Sequence, residues 1–421
     1  MAPGISTGTD AVRRLGVWLA AAGVLLAGCT AGAPDGVVST APSTTDAGTA
    51  SGPPTASTTP APTPTGLPGG MTERVIFGDP WSTNPRRVHA IADSAVALAR
   101  KARRGQTLTL SMFNMTYPGA AEAFIAAHRR GVDVRILLNG EGARSRQVRL
   151  LRAALGGNTK ARSWVKTRAG GIRMHSKFLL LSKHGGQGPV VWVSSGNLTS
   201  SSGRDQANDA IVTTGDQPLY DFLLAQFQLM RKGVTNPTLL SRTATTPTAS
   251  LRTFPQPKKG PANDPVLAVL NDIQCVHGDR RTTIRMAQLF LTDERIYVVQ
   301  RLRDLVEQGC RLRIVGYLTV WSPEAQRALT APGPGRVDLR EGKGAAIHTK
   351  ITTIDGWDAA GRPLLRAVIG SHNLTGRALS RTPDGVNDEL MMQVWNPATV
   401  RSYSAWVDQV IARHSKPAGR G

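Results

Sequence analysis

The hydrophobic and polar positions of the chain follow the same order twice. Residues 108–116 and 284–292 carry the apolar and β-branched pattern of strands. Each is followed by a helical pattern and then by a short apolar strand introduced by a glycine, Gly131 in the first half and Gly309 in the second. Strand, helix and strand in this order is typical of a parallel β-α-β unit. The repetition predicts two lobes of similar design.

A second set of strands is also repeated. Strands are predicted over residues 174–181 and 347–354, and each is followed by another, over residues 189–193 and 364–369. Both of these later strands run into a polar loop that contains Asn-Leu-Thr, and a helix-rich stretch closes each half. The two halves therefore share their last elements as well as their first.

These patterns predict an α/β protein with two similar lobes, each a mixed, mainly parallel β-sheet flanked by helices. A chain of 421 residues is long enough for both. We assign residues 71–240 to the first lobe and residues 265–421 to the second. Residues 241–264 are rich in Pro and Thr and are predicted to link the lobes.

The first 29 residues have the pattern of an export signal. Arg13 and Arg14 precede an apolar stretch, residues 15–27, that is too short to span a bilayer. The arginine pair is also compatible with twin-arginine export. The stretch ends in Leu-Ala-Gly-Cys and resembles the lipobox of bacterial lipoproteins, which implies lipidation of Cys29. The alternative is an ordinary secretory signal with an incidental cysteine. Both predict an extracytoplasmic protein, either anchored to the cell membrane or secreted.

Residues 30–70 predict a flexible stalk. They consist largely of Ser, Thr, Pro, Ala and Gly, contain no aromatic residue, and have Asp35 and Asp46 as their only charged residues. Such a composition cannot bury enough apolar surface to fold. Behind a lipid anchor, the stalk would hold the folded part close to a membrane surface.

The positive charge of the chain is concentrated in the two lobes. The formal net charge is +22; residues 1–28 contribute +1 and residues 29–70 contribute −2, so residues 71–421 carry +23. A surplus of this size attracts polyanions such as anionic lipid headgroups or nucleic acid. The charge alone does not distinguish the two, and solubility is the simpler explanation.

The two cysteines of the lobes are expected to form a disulfide. If Cys29 is lipidated, Cys275 and Cys310 are the remaining pair, in a compartment where disulfides persist. The alternative is two buried thiols.

A His-x-Lys motif occurs once in each half. His175 and Lys177 are two residues apart, as are His348 and Lys350, so on a strand each pair would lie on one face. A single motif of this kind is weak evidence. Here both copies occupy corresponding places in a duplicated unit, and each is followed by a loop that contains Ser and Asn. Coincidence is therefore a poor explanation.

The arrangement resembles the phospholipase D superfamily, whose pattern is H-x-K-x4-D followed by G-S-x-N in each half. The second half matches fully, with His348, Lys350, Asp355, Gly370, Ser371 and Asn373. The first half matches with His175, Lys177, Ser195 and Asn197 but has Ser182 and Ser194 at the Asp and Gly positions. The resemblance covers nearly everything after the stalk and implies a two-lobed pseudo-dimer with one active site.

The chemistry of a phosphodiester explains these residue types. One neutral imidazole attacks phosphorus to give a phosphohistidine, while the other protonates the leaving alcohol and then activates water. Lys177 and Lys350 neutralise the phosphate, Asn197 and Asn373 assist them, and the hydroxyls of Ser195 and Ser371 are expected to bind substrate. Asp355 is expected to support the structure. No metal or cofactor is needed. A zinc site is the rival interpretation, but lysines beside each histidine would repel a cation, and no carboxylate or cysteine completes a ligand set.

The resemblance also implies an acidic partner that holds the tautomer of each histidine. Glu389, in an Asn-Asp-Glu sequence, fits this role in the second half, and Asp209 is its expected counterpart in the first. In the superfamily the acid of each half serves the histidine of the other, which pairs Glu389 with His175 and makes His175 the expected nucleophile. The alternative for both acids is a solvated or structural role.

Three functions are compatible with these motifs. A phospholipase D that hydrolyses or transfers phosphatidyl groups is favoured by the anchor and stalk. A nuclease of the same superfamily is favoured by the basic surplus, with nucleic acid as substrate. An inactive phosphate-binding module would be expected to lose a histidine or a lysine, and all four are present. We expect the first function, in a monomer that acts on phospholipid or another phosphodiester.

Overall fold

Two β-sheets and their flanking helices make up the computed structural model, which describes residues 67–418. The predicted signal peptide, Cys29 and nearly all of the predicted stalk lie outside these residues. Every element described below belongs to one compact unit that begins after residue 60.

The first half of the described chain contains nine strands and seven α-helices. The strands are β1 (Thr72–Phe77), β2 (Thr107–Met112), β3 (Asp133–Leu138), β4 (Trp164–Thr167), β5 (Arg173–Met174), β6 (Phe178–Leu181), β7 (Val190–Ser194), β8 (Gln206–Ala207) and β9 (Asp209–Thr214). The α-helices are α1 (Pro85–Val88), α2 (Ala90–Lys101), α3 (Pro118–Arg129), α4 (Arg146–Leu155), α5 (Ser200–Arg204), α6 (Gln217–Arg231) and α7 (Pro237–Leu240).

The second half of the described chain contains thirteen strands and five α-helices. Its strands are β10 (Thr243–Thr245), β11 (Ala249–Phe254), β12 (Ile273–Gln274), β13 (Val276–His277), β14 (Arg280–Arg281), β15 (Thr283–Gln288), β16 (Arg311–Gly316), β17 (Val337–Gly342), β18 (Ala346–Ile347), β19 (Lys350–Asp358), β20 (Pro363–Gly370), β21 (Asn387–Val394) and β22 (Ser415–Pro417). Its α-helices are α8 (Pro265–Asn271), α9 (Ile296–Glu307), α10 (Pro323–Thr330), α11 (Gly376–Leu379) and α12 (Pro397–Arg413).

Each lobe is built on one mixed sheet. The order is β1-β9-β7-β6-β2-β3-β4 in the first, and β10-β11-β21-β20-β19-β15-β16-β17-β22 along the main path of the second. Along these two paths, parallel pairing is confined to β2-β3-β4 and β15-β16-β17, and the other neighbours are antiparallel. The two-lobed α/β fold is as predicted, but the sheets are less parallel than expected. Short connections such as the one from β6 to β7 allow only an antiparallel return.

The first part of the predicted linker, residues 241–264, contributes the strands β10 and β11 to the second sheet. β11 pairs with β21 in a register that places Phe254 opposite Glu389, and β10 adds an edge strand to β11. The difference has a physical reason. Threonine is β-branched and suits a pleated strand, so a Thr-rich segment is a sheet edge as readily as a linker.

The two lobes exchange short strands where they meet. β5 of the first lobe pairs in parallel with the start of β21, and β18 of the second pairs in parallel with β8. Both pairings lie immediately before a His-x-Lys motif. A buried cluster that includes Met174, Phe178 and Ile347 draws side chains from both lobes and packs beneath these crossings.

The outer sides of the two sheets have their own cores. Apolar faces of α2 and α3 pack on the first sheet, and those of α9 and α10 pack on the second. Cys275 and Cys310 are bonded in the second core, so the predicted disulfide is confirmed. Among the helices of residues 67–418, none is both long and apolar enough to cross a bilayer.

Candidate active site

Both histidines lie in short breaks between strands, one residue after each exchanged strand. His175 follows β5, and its backbone N–H donates to the carbonyl of Asp388 at 2.9 Å. His348 follows β18, and its backbone N–H donates to the carbonyl of Ala207 at 3.0 Å. Each histidine is therefore held by the backbone of the opposite lobe, which fixes its position relative to the other half of the site.

The imidazole of His175 is oriented by Glu389. Its Nδ1 lies 2.8 and 2.9 Å from the two carboxylate oxygens. The hydroxyl of Ser371 donates to Glu389 Oε2 at 2.5 Å, and the side-chain amide of Asn387 donates to Oε1 at 2.9 Å. With the carboxylate held in this way, His175 donates its proton from Nδ1, and Nε2 carries the free lone pair.

The imidazole of His348 is oriented by an amide. Asn208 Oδ1 lies 2.8 Å from His348 Nδ1. The Asn208 side-chain nitrogen donates to the backbone carbonyl of Ser202 at 2.8 Å, which fixes which end of the amide faces the ring. The hydroxyl of Ser195 completes the set at 3.3 Å from Oδ1. The amide therefore sets the tautomer of His348 without adding a charge.

The structure places Asn208, and not the expected Asp209, against His348. Successive side chains on a strand point to opposite faces, so only one of these neighbours can reach the ring. Asp209 instead accepts a hydrogen bond from the Tyr403 hydroxyl at 3.3 Å, and burial is the main cause that raises its pKa to about 6. The two halves are therefore alike in geometry but differ in charge at the residue behind each histidine.

The two lysines are buried beside the histidines. The ammonium of Lys177 donates to the backbone carbonyl of His175, and that of Lys350 donates to the carbonyl of His348. Burial is the main cause that lowers the pKa of Lys177 well below its usual value, and it lowers the pKa of Lys350 to about 7. Glu389 acts in the opposite direction on both. In the described chain neither ammonium is in an ion pair, so both are available to an anion.

Burial also keeps the two imidazoles neutral. It is the main cause that lowers the pKa of His175 to about 4, against the opposing effect of Glu389. Burial also lowers the pKa of His348 well below its usual value, and the charges of Lys350, Lys177 and His175 add to this effect. Charged residues of one half thus shift the pKa of the histidine in the other half. Both motifs therefore belong to one electrostatic unit.

Glu389 is the carboxylate of this unit. Burial alone would raise its pKa, but His175, Lys177 and the hydrogen bonds from His175 and Ser371 together bring the pKa below its usual value. It is thus ionised while His175 is neutral. A neutral imidazole that donates to a fixed carboxylate is a suitable nucleophile.

Two asparagines complete the symmetric set. The side-chain oxygens of Asn197 and Asn373 are buried and have no hydrogen-bond partner within residues 67–418. Buried polar atoms are normally paired, so equivalent unpaired atoms in both halves point to a group that is bound in use. The loop of Asn373 is held from behind, because the buried guanidinium of Arg295 donates to its backbone carbonyl at 2.9 Å and pairs with Asp264 at 2.6 Å.

Comparison with protein families agrees with this arrangement. The family model described as "Cardiolipin synthase, PLD-like domain" matches residues 96–231 and again residues 279–411, which together make up more than half of the chain. The chain belongs to this phospholipase D-like family. Each of the two matches contains one His-x-Lys motif. No curated protein sequence matches the chain.

Two solved structures share the fold, and a third is similar over a smaller part of this chain. The polyphosphate kinase of Porphyromonas gingivalis is similar with a TM-score of 0.56 and 13% identity. The match covers 83% of this chain and only 53% of the kinase, so this chain spans about half of the kinase's length. The phosphatidylserine synthase of Haemophilus influenzae Rd KW20 has a TM-score of 0.56 and 12% identity over 82% of this chain and 87% of its own. Nuc of Salmonella typhimurium, a phospholipase D family member, has 17% identity and a TM-score of 0.31, and it matches 39% of this chain and 95% of its own length.

The hydroxyls of the two serines in the phospholipase D-like pattern form hydrogen bonds within the protein. Ser371 is buried, donates to Glu389 and accepts from the backbone N–H of Leu390 at 3.0 Å. Ser195 is also buried and accepts from the backbone N–H of Asp209 at 3.0 Å. We expected both hydroxyls to bind substrate. Their contacts instead make them supports for the residues behind the histidines.

The departures from the family pattern in the first half are accommodated locally. The hydroxyl of Ser194 donates to the carbonyl of Asp209 at 2.7 Å. At the equivalent Gly370, with a φ of 134°, a Cβ would lie 2.2 Å from the carbonyl oxygen of Leu390, so the glycine is required there. Ser182 accepts a hydrogen bond from the backbone of Thr107 at 2.9 Å.

Asp355 lies apart from the site. It is exposed on β19, five residues beyond Lys350, in a surface groove that it shares with Arg280 and Arg281. That separation is roughly 16 Å along a strand.

In residues 67–418 no group of three or more His, Cys, Asp or Glu side chains is arranged to hold a metal ion.

Sequence reasoning missed three residues that shape the site. They are Asn208, Arg295 and Phe113, whose ring stands edge-on to His175 at 5.3 Å between centroids. Asn208 does not emerge from aligning the halves on their serines, because Asn208 lies 13 residues after Ser195 whereas Glu389 lies 18 residues after Ser371. Nothing in the local sequence distinguishes the other two.

Proposed function

We propose that the protein is a metal-independent phosphodiesterase of phospholipase D type that works through a phosphohistidine on His175. The observation that carries this proposal is the paired arrangement at the site, with Glu389 behind His175 and Asn208 behind His348. Metal independence is supported by the two buried ammonium groups, which would repel a cation.

In the first step, Nε2 of His175 attacks phosphorus. The P–N bond forms as the P–O bond to the leaving alkoxide breaks, and the alkoxide takes the proton from Nε2–H of His348. The carboxylate of Glu389 accepts the Nδ1–H of His175 and stabilises the positive charge that develops on the ring. A phosphohistidine and an alcohol result.

In the second step, the now neutral His348 takes a proton from water. The resulting hydroxide attacks phosphorus, the P–N bond breaks, and the electron pair returns to His175. The phosphomonoester product leaves and His348 is again protonated. When an alcohol takes the place of water, the same step transfers the group instead of hydrolysing it.

Binding of the substrate and uptake of protons are coupled in this scheme. In the free enzyme, burial lowers the pKa values of both lysines and of His348, and repulsion from neighbouring cations adds to this effect for Lys177 and His348. An anionic diester in the cleft reverses that repulsion and raises these pKa values. Substrate binding therefore favours the protonated forms of the two lysines, which hold the phosphate, and of His348, which protonates the leaving group.

We propose phosphatidyl groups as the substrate. The support is the predicted tether, a lipidated Cys29 followed by the stalk of residues 30–70, which would keep the enzyme at a bilayer. Export and lipidation are part of this proposal. Intact mass measurement of the protein from a membrane fraction should give a diacylated Cys29 as first residue, and Cys29→Ser should release the protein from that fraction.

A nuclease is the second candidate. The observation that favours it is the surplus of +23 in residues 71–421, because phosphate contacts supply most of the affinity of sequence-independent nucleic-acid binding. Both candidates use the same residues for the same chemistry. They differ only in what the substrate carries beyond the diester.

Liposomes and linear DNA, offered side by side in EDTA, separate these functions. We expect release of the headgroup alcohol from phosphatidyl lipids, and none with His175→Ala. DNA cleavage with intact lipid would favour the nuclease. No turnover of either substrate, nor of a soluble diester such as bis(4-nitrophenyl) phosphate, would refute the enzyme and leave a phosphate-binding module.

A further inference from the structure

A groove of about 920 Å³ opens on the first lobe, away from the histidines. Its walls are formed by the end of α2, the loop before β2, the end of α3 and the turn between β6 and β7. We call it the basic groove, after the cationic side chains that line it: Arg100, Lys101, Arg103, Arg104 and Arg130, with His184 beside them.

No acidic side chain of the described chain compensates the charge of the basic groove, although the Arg130 guanidinium donates to backbone carbonyls at the end of α2, those of Ala99, Arg100 and Ala102. None of its five Arg and Lys side chains forms an ion pair with any residue of the described chain, and no Asp or Glu lines the groove. All five are exposed. Surface cations normally alternate with anions, and five uncompensated ones around a concavity create a positive potential that attracts an anion.

The groove lies at the opposite end of the sheet from the active site. Gln106, which lines the groove, immediately precedes β2, whereas Phe113 beside His175 follows β2. The turn at residues 184–187 likewise follows β6, and Lys177 precedes it. Seven residue steps along an extended strand separate Gln106 from Phe113 by roughly 23 Å.

The described chain also begins at the groove's end of the sheet. Thr72, the first residue of β1, pairs with Thr214, which pairs in turn with Val190. Val190 is three residues beyond Gln187 in the wall of the groove. The segment that precedes the folded unit, the predicted stalk, therefore joins it beside the basic groove.

We propose that the basic groove docks the folded unit onto an anionic membrane surface by binding phosphate-bearing lipid headgroups. Guanidinium groups bind phosphate in a bidentate manner, which suits the four arginines. The exposed large apolar side chains of residues 67–418 are Leu150, Leu239 and Val276, and none lines the groove. Docking is therefore electrostatic and sensitive to salt, without insertion into the acyl chains.

Two other occupants fit less well. Residues 30–70 of the chain itself contain only two acidic residues and cannot neutralise five cations. Nucleic acid could do so, but the groove has no aromatic residue on which bases could stack. A bilayer is favoured by position, because the segment that carries the predicted lipid anchor enters the folded unit at the groove's end of the sheet.

Docking in this way leaves the histidine pair at the end of the sheet away from the bilayer. A diester in the aqueous phase can therefore be turned over while the protein is docked. A phosphatidyl substrate would come from a facing bilayer, or from the same bilayer after the groove has released it. The basic groove thus sets the orientation of the protein at the bilayer and takes no part in the reaction at the histidines.

Vesicle binding tests the docking site. Residues 61–421, which include the whole compact unit, would be sedimented with vesicles of phosphatidylcholine alone or mixed with phosphatidylglycerol. We expect binding only to the mixed vesicles and its loss as salt rises. Each basic residue near such a surface contributes about fivefold in affinity, so Arg103→Glu/Arg104→Glu should weaken binding by at least about 25-fold.

Lys258→Glu/Lys259→Glu is the matched control, because it makes the same change in net charge at exposed positions of the second lobe. Equal weakening by both double variants would overturn the proposal, since the effect would then belong to overall charge. Tight binding of duplex DNA that depends on Arg103 and Arg104, with no binding to mixed vesicles, would also overturn it. Unchanged melting temperatures show that the variants are folded.

Hydrolysis of bis(4-nitrophenyl) phosphate supplies the second measurement. We expect the rate to be the same for wild type and Arg103→Glu/Arg104→Glu, because neither side chain reaches the active site. A lower rate in the double variant would show that Arg103 and Arg104 act at the active site, and would overturn the proposal of a separate docking groove. If the soluble diester is not hydrolysed at all, the proposed reaction fails, while sedimentation still decides on the groove.

Discussion

Asn208→Asp is the substitution that most sharply tests the difference between the two halves. It changes almost nothing in shape, but it replaces a neutral oxygen 2.8 Å from His348 Nδ1 with a carboxylate. His348 would then have a charged partner, as His175 has in Glu389. The arrangement of the site predicts that the proton affinity of His348 will rise.

The size of the effect follows from the distance. A carboxylate this close to an imidazole raises its pKa by roughly 1–3 units, equivalent to about 1.4–4 kcal/mol. The substitution also removes the amide donor to the carbonyl of Ser202, which is bonded at 2.8 Å, and leaves that oxygen facing a carboxylate. The unsatisfied buried group should cost about 1–3 kcal/mol of unfolding free energy.

The titration of His348 can be followed by NMR with ¹³C-labelled histidine, with the resonance assigned from His348→Asn. In parallel, the pH profile of kcat should be measured with a diester whose leaving group is a poor one, because that reaction needs the proton of His348. Both the NMR pKa and the alkaline limb of kcat should move upward by the same 1–3 units. Asn236→Asp, at an exposed helix N-cap, is the matched control and should change neither.

An NMR pKa of His348 that stays the same or falls in Asn208→Asp would refute the reasoning. It would mean that the amide is not the partner of the ring in solution. A raised pKa with an unchanged alkaline limb would refute the role of His348 as the proton donor, while leaving the contact itself intact.

Further outcomes follow from the same contacts. Because burial lowers the pKa of Lys350 to about 7 and a lysine is charged only below its pKa, kcat/KM should fall with unit slope above about pH 7, and Lys350→Arg should flatten that fall. Glu389→Gln should lower kcat by about 10²–10⁴ while KM changes little, since the amide cannot stabilise charge on His175; rapid-quench kinetics measure both. Reduction of the Cys275–Cys310 bond, or its double replacement by Ser, should lower the urea-unfolding free energy by about 2–4 kcal/mol and leave kcat unchanged.

The sequence was sufficient to predict the duplicated lobes, the disulfide and the residues of the two His-x-Lys motifs. These features repeat at fixed spacing, and repetition makes a short pattern specific. The pairing of Glu389 with His175 could also be expected, because the family resemblance supplied the exchange between halves. The structure agrees with this pairing in the contacts of Nδ1.

The partner of His348 could not be predicted from the dipeptide that Asn208 shares with Asn387. Which residue faces the ring is decided by strand register, through Ser195 bonding the backbone N–H of Asp209 as Ser371 bonds that of Leu390. A one-residue difference in register reverses the face of every side chain. The strands β10 and β11 within residues 241–264 could not be predicted for a related reason. Composition does not show that β21 has a free edge with which β11 can pair.

The central claim is that the imidazoles of both halves share one phosphorus atom and that His175 is the one to bond it. Rapid quenching of the wild type with bis(4-nitrophenyl) phosphate, followed by peptide mapping at alkaline pH, measures this directly. We predict a phosphoryl adduct on His175. The adduct should accumulate in His348→Ala, because that variant has no base to activate water in the second step. An adduct on His348, or burst kinetics with no adduct on either histidine, would contradict it.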